Sequence, residues 1–312
     1  MRIAMLDVAI PQQSRLGQLL DFPHQFIAPG QGMQQVDVVV ALRFGRPEAE
    51  RYSMRLLHLP GAGADAIDFQ ALPRGAVVCN VFEHEIPIAE YVMAAVLDHS
   101  IGYGRMRASF DGDRWRETYA ARRTHAEVFG KTLGLLGFGH IGRAVTQRAK
   151  AFGMQVHAIS NSGAAPGADW AGGPAQLAEM LPRVDFLVIA CPLTALTRGL
   201  IGAAQLAALK PTSVLINIGR AQIVDEEALY AALRDGRLAG ATLDVWYDYP
   251  APDKPDARPS RFPFSQLDNV HCTAHSCAWT QELFERRYAV IAGNLKRLHG
   301  GQPLANILFT AP

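Results

Sequence analysis

The sequence lacks the features that mark nucleic-acid-binding, membrane and disulfide-bonded proteins. Charged residues make up 19% of the 312 residues and the net charge at pH 7 is +1, so neither a nucleic acid nor a membrane surface is an expected partner. Apolar runs are short, and none approaches the length of a membrane span. Residues 1–7 are predicted to form a first strand, not a signal peptide.

Cysteine is scarce, and histidine is not arranged as a metal ligand. The four cysteines include no Cys-x-x-Cys pair, and each lies in or beside an apolar run: Cys79, Cys191, Cys272 and Cys277. Such residues are expected to be buried free thiols, which predicts a reducing, cytoplasmic location. No metal site is predicted. What remains is the composition of an ordinary globular protein, 49% hydrophobic.

The most informative segment is a glycine-rich turn in the middle of the chain. Residues 132–159 have the pattern of strand, turn, helix and strand, and the turn has the form Gly-x-Gly-x-x-Gly at Gly137, Gly139 and Gly142. Glycines permit the tight turn and the close approach of backbone to a pyrophosphate, whose charge faces the helix N-terminus. Because the complete unit is present, the segment predicts dinucleotide binding.

Short apolar runs alternate with helical stretches on both sides of this turn. Strands that alternate with helices form parallel sheets covered on both faces, so the predicted fold is α/β with two doubly wound parallel-sheet domains. One is a Rossmann dinucleotide-binding domain and the other a flavodoxin-like substrate domain. Beyond the turn unit, the predicted strands are 37–41, 55–59, 76–80, 186–190, 213–218, 239–245 and 270–273.

The glycine turn lies in mid-chain, so a separate domain is expected before it. We expect the substrate domain to comprise residues 1–99 together with 281–312, and the dinucleotide-binding domain to comprise 100–280. A long helix over 87–110 is predicted to bridge the two domains. The last helix, 280–299, is predicted to return the chain to the first domain.

Three chemically capable side chains follow predicted strands downstream of the turn: Arg220, Asp244 and His275. Taken singly, the arginine can be a solvated loop charge, the aspartate a strand cap and the histidine a satisfied core residue. Ligands of open α/β sheets bind beyond the carboxyl ends of the strands. Three such residues behind a dinucleotide turn therefore indicate a shared site.

Further motifs accompany this ordered set, at 61–68, 88–90, 130–134 and 191–194 and at Thr197. With them the sequence resembles a known family, the D-isomer-specific 2-hydroxyacid dehydrogenases, which include phosphoglycerate, formate and phosphite dehydrogenases. The resemblance covers nearly the whole chain. The order of the arginine, the aspartate and the histidine is specific to this family.

The resemblance implies a role for each matching residue. Arg220 is expected to bind the carboxylate and carbonyl of the substrate with its forked guanidinium. His275 is expected to act as general acid and base on the carbonyl or hydroxyl oxygen. Ala62 and Gly63 are expected to offer backbone N–H groups to the carboxylate, and Asp244 to contact the nicotinamide side of the cofactor.

The resemblance also implies a nicotinamide cofactor, NAD or NADP, which supplies the redox chemistry. NAD-preferring relatives usually carry an acid where this sequence has Ser160, so a 2′-phosphate is not repelled here. No arginine follows, and the resulting preference for NADP is slight. The residues expected to bind the cofactor are Gly137, Gly139, His140, Ile141, Gly142, Ser160, Asn161, Cys191, Pro192, Thr197, Ile218, Gly219 and Asp244.

Two other positions depart from the family pattern. Where relatives carry a glutamate partner for the histidine, this sequence has Tyr249, and the adjacent Asp248 is expected to point the other way. Formate dehydrogenases also lack the glutamate and are similar to this chain at 244–246 and 250–252. His84 stands where relatives often present an asparagine to the substrate. It is interpreted either as a substrate contact or as part of a solvated turn before the next helix.

The expected function is the NAD(P)-dependent interconversion of a D-2-hydroxyacid and its 2-oxoacid. The expected catalytic residues are Arg220, His275 and Tyr249, and the expected substrate contacts are Ala62, Gly63 and His84. The alternatives are a formate- or phosphite-type dehydrogenase, and a dinucleotide-sensing protein that acts like a corepressor by binding partners. Trp279 favours a larger, partly aromatic pocket over a formate site. A homodimer is expected through the segment 113–119.

Overall fold

The computed structural model describes residues 1–28, 30, 32–251 and 254–312. Its strands are β1 (Arg2–Met5), β2 (Gln25–Ile27), β3 (Gln34–Gln35), β4 (Val38–Val40), β5 (Tyr52–Ser53), β6 (Leu56–His58), β7 (Val77–Cys79), β8 (Thr132–Leu136), β9 (Gln155–Ile159), β10 (Trp170–Gly172), β11 (Phe186–Ile189), β12 (Val214–Asn217), β13 (Gly240–Leu243), β14 (Val270–Cys272) and β15 (Ile307–Thr310). Its α-helices are α1 (Gln13–Leu19), α2 (Arg46–Ala49), α3 (Glu85–Ile101), α4 (Tyr103–Ala108), α5 (Trp115–Ala120), α6 (His140–Ala151), α7 (Leu177–Met180), α8 (Ala203–Ala208), α9 (Glu226–Arg234) and α10 (Gln281–His299). Pro252, part of the similarity noted for 250–252, lies outside the described residues, as does Asp253.

The first of two compact units comprises Met1–His84 and Thr280–Pro312. Its six-stranded sheet has the order β15-β7-β6-β4-β1-β2, and every neighbouring pair is parallel except β15 and β7. β3 and β5 form a separate two-stranded parallel sheet. The central strand β4 is buried over its whole length, because helices and loops cover both faces of a parallel sheet.

A buried histidine in this unit is held in its neutral form. His58, at the end of β6, has no exposed surface. Its Nδ1 lies 3.1 Å from the carbonyl oxygen of Leu59, and its Nε2 lies 3.0 Å from Nδ2 of Asn294. Since Nδ2 of an asparagine can only donate, the ring accepts at Nε2 and carries its proton on Nδ1. Burial lowers the pKa of His58 from 6.5 to about 4.

We expect the first unit to lose stability in acid, because the unfolded chain takes up a proton that folded His58 excludes. This stability is complete above pH 6.5 and is lost as the pH falls towards 4, by about 3 kcal/mol. Hydrogen exchange of the β6 and α10 amides across this range, corrected for intrinsic exchange, measures the loss. His58→Gln should flatten the pH dependence, and His299→Gln, at an exposed position, should not. Equal slopes in the two variants would contradict this account.

The second unit, Glu85–Trp279, is built on a seven-stranded parallel sheet with the order β10-β9-β8-β11-β12-β13-β14. Leu187 and Ile189 of β11 pack in one apolar cluster and Phe186 and Val188 in another, so both faces of the sheet are covered. The predicted doubly wound α/β fold is confirmed. The strand order reverses between β8 and β11, and in such sheets this switch point is where a dinucleotide binds.

The helix predicted over 87–110 is interrupted. α3 ends at Ile101 because Gly102 adopts a left-handed conformation with a φ of 69°, and the chain continues as α4. The buried face of α3 packs in the same cluster as β8 and α6. For this reason α3 is grouped with the second unit, which begins after His84 and not near residue 99. The roles assigned to the two domains stay predictions.

Candidate active site

The glycine turn joins β8 to α6 at the switch point. Gly137 has a φ of 108°, and a Cβ there would lie 2.7 Å from the backbone nitrogen of Cys191. A Cβ on Gly142 would lie 2.6 Å from the carbonyl oxygen of Gly137, so both positions require glycine. A Cβ on Gly139 would meet no described atom within 4 Å. The open space at the N-terminus of α6 fits a phosphate group, which the helix amides would stabilise.

A cleft of about 540 Å³ opens beside the turn. It brings together part of the predicted cofactor set: Gly137, Gly139, Ser160, Asn161, Cys191, Pro192 and Thr197. Among the described residues that line it, none is charged. Leu177, Leu196 and Leu200 are among the apolar residues that also line it, and such apolar walls suit the flat base of a nucleotide.

Other members of the predicted cofactor set lie on the elements around this cleft. His140 and Ile141 begin α6. Ile218 and Gly219 follow β12, where a Cβ on Gly219 would lie 3.1 Å from the carbonyl oxygen of Cys191. The backbone after β12 therefore passes close to the backbone after β11, and a side chain at position 219 would be tightly packed against it.

Ser160 follows β9 in the position where a carboxylate would select NAD. Its Oγ donates to the carbonyl oxygen of Ala164 at 2.9 Å and lies 3.3 Å from Oγ of Ser162. The hydroxyl hydrogen is used within this loop, so the oxygen can offer a ligand only an acceptor. The residues of this loop that line the cleft, Ser160, Asn161 and Ser162, are polar and carry no charge that would repel a phosphate.

Asp244 holds the loop that follows β14. Its carboxylate is completely buried. Oδ1 accepts hydrogen bonds from Oγ1 of Thr273 at 2.5 Å and from the amide of Ser276 at 2.8 Å, and Oδ2 accepts one from the amide of Cys277 at 3.0 Å. These donors flank His275 on both sides. The carboxylate therefore fixes the loop on which the histidine lies.

His275 adopts a left-handed conformation, with a φ of 55°, that is uncommon for a residue with a side chain. Its Nδ1 lies 2.8 Å from the hydroxyl oxygen of Tyr249. That oxygen also accepts a hydrogen bond from the backbone amide of Trp246 at 3.0 Å, and the Trp246 indole donates to the carbonyl of Thr273 at 2.8 Å. These bonds orient the imidazole ring and leave Nε2 as its nitrogen for proton transfer.

Arg220 is positioned by a buried asparagine at the end of β12. Oδ1 of Asn217 accepts from the amide of Gly219 at 3.1 Å, and its Nδ2 donates to the carbonyl of Arg220 at 3.2 Å. Nη1 of Arg220 donates to the carbonyl of Gly219 at 2.9 Å. The side chain of Asn217 thus sets the backbone of the turn from which the guanidinium extends.

Burial and two charges set the protonation of the imidazole. The pKa of His275 is lowered, mainly by burial, while the negative charge of Asp244 opposes this and the positive charge of Arg220 adds to it. Burial also raises the pKa of Tyr249, and Arg220 opposes that rise. The positive charge of Arg220 therefore acts on both the phenol and the imidazole.

The other residues singled out from the sequence have contacts of their own. Asp248 forms an ion pair with Lys254, as expected for a side chain that points away from the imidazole. Ala62 and His84 belong to the first unit, where the carbonyl of Ala62 accepts from Nδ2 of Asn80 at 2.9 Å. The ring of His84 stacks on that of Phe82 at 6.3 Å between centroids. The substrate contacts assigned to Ala62, Gly63 and His84 stay predictions.

Four residues of this region were not singled out from the sequence as site residues: Tyr91, Asn217, Trp246 and Thr273. Asn217 is the polar last residue of an otherwise apolar strand and Thr273 is a polar residue directly after β14, and these positions are the one sequence signal that points to them. Within the described residues, no group of three or more His, Cys, Asp or Glu is arranged to hold a metal ion. A search of the same residues finds no helix able to cross a membrane.

A doubly wound sheet with a dinucleotide turn at its switch point defines the Rossmann class of nucleotide-binding proteins. Residues 93–277 match the family described as D-isomer specific 2-hydroxyacid dehydrogenase, NAD binding domain. The chain belongs to this family of oxidoreductases, and its cofactor is NAD or NADP.

Relatives with named activities cover most of the chain. A D-3-phosphoglycerate dehydrogenase of Methanocaldococcus jannaschii is 32% identical over 259 residues, which are 82% of this chain but only 47% of the relative, less than half of its length. An (S)-sulfolactate dehydrogenase of Chromohalobacter salexigens is 32% identical over 288 residues, 90% of each chain. The crystal structure of an NADPH-dependent glyoxylate/hydroxypyruvate reductase from Sinorhizobium meliloti, in complex with NADP and malonate, has a TM-score of 0.78 and 26% identity, over 98% of this chain and 96% of that chain.

Proposed function

We propose that this protein interconverts a D-2-hydroxyacid and its 2-oxoacid with NADP or NAD. One observation supports the proposal: Oη of Tyr249 lies 2.8 Å from Nδ1 of His275, and the positive charge of Arg220 acts on the pKa of both groups. A 2-oxoacid needs a cation for its carboxylate and a proton donor for its carbonyl oxygen. An arginine beside an imidazole supplies both.

In the proposed reduction, Arg220 binds the carboxylate through paired N–H donors, and Nε2 of His275 gives its proton to the carbonyl oxygen. The nicotinamide, when bound, supplies the hydride, or accepts it in the reverse direction. The imidazolium carries protons on both nitrogens, so Nδ1–H then donates to the hydroxyl oxygen of Tyr249. In this proposal Ala62 and Gly63 give backbone N–H groups to the carboxylate, and His84 is a further polar contact.

We propose 2-oxoacids with a small polar substituent as the substrate class. The names of the relatives support this class, since phosphoglycerate, sulfolactate and hydroxypyruvate differ in the substituent but share the 2-hydroxy- or 2-oxocarboxylate. This shared part is what Arg220 and His275 would contact. Other residues would contact the substituent.

Steady-state assays with NADH and NADPH test the proposed function. Glyoxylate, hydroxypyruvate, 3-phosphohydroxypyruvate and sulfopyruvate are offered for reduction, and formate and phosphite for oxidation. We expect turnover of at least one oxoacid and none of formate or phosphite. Oxidation of formate or phosphite without oxoacid reduction would establish the formate- or phosphite-type alternative. Cofactor binding without turnover of any compound would favour a dinucleotide-sensing binding protein.

Cofactor preference follows from the loop after β9. We expect NADPH to be used at least as well as NADH, because Ser160 presents no negative charge to a 2′-phosphate. A carboxylate at this position would be repelled by the carbonyl oxygen of Ala164, to which Ser160 now donates, and would turn towards the ribose. Ser160→Asp should therefore shift the ratio of kcat/KM values strongly towards NADH. An overwhelming preference of the wild type for NADH would contradict the proposal that the loop with Ser160 accepts a 2′-phosphate.

We also propose a homodimer through the aromatic segment around α5. Trp115 and Tyr119 are 55% and 53% exposed and lie 5.5 Å apart between ring centroids. Exposed aromatic surface of this kind is usually covered by a partner, and most soluble oligomers are symmetric copies of one chain. Light scattering at micromolar concentration should give twice the mass of the chain, and Trp115→Glu should lower it. A monomeric mass for the wild type would refute the dimer.

A further inference from the structure

One hydrogen bond ties helix α3 to the loop that carries His275. The hydroxyl oxygen of Tyr91, on α3, lies 2.6 Å from Oγ1 of Thr273, 182 positions further along the chain. Oγ1 of Thr273 lies 2.5 Å from Oδ1 of the buried Asp244. The three side chains, one on α3 and two that directly follow β13 and β14, thus form a continuous series of hydrogen bonds.

The two hydrogen bonds of this series run in one direction, from Tyr91 through Thr273 to Asp244. An ionised carboxylate can only accept, so the hydroxyl of Thr273 donates to Asp244 and must itself accept from Tyr91. Burial raises the pKa of Tyr91 to about 12, so its phenol keeps the proton that it donates. Each bond polarises the next, and the buried charge of Asp244 is stabilised from the α3 side.

The same carboxylate determines where His275 lies. The amides of Ser276 and Cys277 donate to Asp244 at 2.8 and 3.0 Å, and Thr273 enters the loop from the other side. A left-handed residue such as His275 relaxes to a commoner conformation unless its surroundings hold it. Loss of the Thr273 hydroxyl would remove one of the three hydrogen bonds through which Asp244 holds this loop.

We propose that Tyr91 and Thr273 are positioning residues for the reaction. Through Asp244 they hold His275 in its left-handed conformation and keep its ring against Tyr249. The proposal rests on the proposed function, in which His275 transfers the proton. Since Tyr91 and Thr273 act through Asp244 and not on the substrate, their loss slows proton transfer and leaves binding unchanged.

Kinetics of Thr273→Val test this role. With NADPH and whichever of glyoxylate and hydroxypyruvate the wild type reduces, we expect kcat to fall on the order of 30-fold, because a displaced acid transfers its proton poorly. KM and the affinity for NADPH should stay within about twofold, and the solvent deuterium isotope effect on kcat should rise. Thr273→Ser keeps the hydroxyl and should restore kcat. Tyr91→Phe removes only the first bond and should cost about fivefold.

A matched control exists on the neighbouring strand. Thr242, on β13, is also buried, and its Oγ1 lies 3.0 Å from Nε2 of His99, which is also on α3. Thr242→Val therefore removes a buried bond between a strand and α3 without touching the catalytic loop. It should lower the melting temperature about as much as Thr273→Val and keep kcat. An equal loss of kcat in both variants, a failure of Thr273→Ser to restore it, or a wild-type kcat in Thr273→Val would overturn the proposal.

A second measurement, the titration of His275, does not depend on enzyme activity. In NMR spectra of protein with ¹⁵N-labelled histidine, the titration of His275 in Thr273→Val should move up towards the usual histidine range. Burial lowers its pKa in the wild type, and a released ring becomes hydrated. Thr242→Val should leave the titration in place. If the wild type reduces no oxoacid, the proposed function fails alone. An unchanged His275 titration in Thr273→Val would overturn the positioning role.

Discussion

Replacement of Arg220 by lysine should remove most oxoacid reduction and leave cofactor binding intact. Lysine keeps the positive charge but presents a single point in place of a planar fork, so it loses the paired contact with a carboxylate. We expect kcat/KM to fall on the order of a thousand-fold. The affinity for NADPH, measured by fluorescence titration, should hold within about twofold, because Asn217 bonds to the backbone of Arg220 and not to its side chain.

Arg183→Lys is the matched control for this substitution. Arg183 forms an ion pair with Glu179 at 3.0 Å, and both side chains are about half exposed. Its replacement should leave reduction and cofactor binding near their wild-type values. A parallel loss of NADPH affinity in Arg220→Lys would mean that Arg220 holds the cofactor or the fold and not the substrate.

Tyr249→Glu should extend reduction to higher pH. The wild-type partner of the imidazolium is a neutral phenol oxygen that already accepts from the amide of Trp246, so it stabilises the extra proton weakly. His275, whose pKa is lowered, therefore loses that proton early as the pH rises, and reduction declines with it. A carboxylate at position 249 would stabilise the imidazolium and so raise the pKa of His275. The kcat/KM profile for oxoacid reduction against pH measures the shift.

Tyr249→Phe distinguishes the effect of charge on the pKa of His275 from the effect of the hydrogen bond on the orientation of its ring. It removes the hydrogen bond at 2.8 Å and adds no charge, so kcat should fall while the alkaline limb of the profile moves much less than in Tyr249→Glu. The oxidative direction provides the complementary check, since Tyr249→Glu should lower the rate at pH values where the wild type has a neutral ring. A reductive limb that stays in place or moves down in Tyr249→Glu would contradict the contact between Tyr249 and His275.

The dinucleotide half of the protein is well predicted from its sequence, for identifiable reasons. β8 begins at residue 132 and β9 ends at residue 159, the predicted limits of the turn unit, because a glycine turn and a helix with a clear apolar face lie between them. α10 begins one residue after the predicted start, since Thr280 caps it and accepts from the amide of Leu283. The helix predicted over 87–110 is interrupted at Gly102 and continues as α4, because an apolar pattern does not reveal that Gly102 adopts a left-handed conformation.

The candidate site likewise has a part that the sequence predicts and a part that only the structure shows. Arg220, Asp244 and His275 stand at strand ends, and the order of the three follows the family, so the sequence suffices to predict them. The hydrogen-bond partners of these three residues cannot be predicted in this way. The bond between Tyr91 and Thr273 joins residues 182 positions apart, and only the folded sheet shows it. The structure also gives Asp244 three loop donors, a set of contacts that the nicotinamide role expected from the family does not include.

The central claim is that His275 gives a proton to an oxoacid bound at Arg220, and single-turnover kinetics test it most directly. The protein is loaded with NADPH and mixed with glyoxylate or hydroxypyruvate, and NADPH oxidation is followed by stopped flow. The wild type should oxidise its bound NADPH in one phase, and His275→Asn should bind NADPH with wild-type affinity but react on the order of a thousand-fold more slowly. Oxidation at the wild-type rate in His275→Asn, or no oxidation of bound NADPH by the wild type with either oxoacid, would contradict the claim.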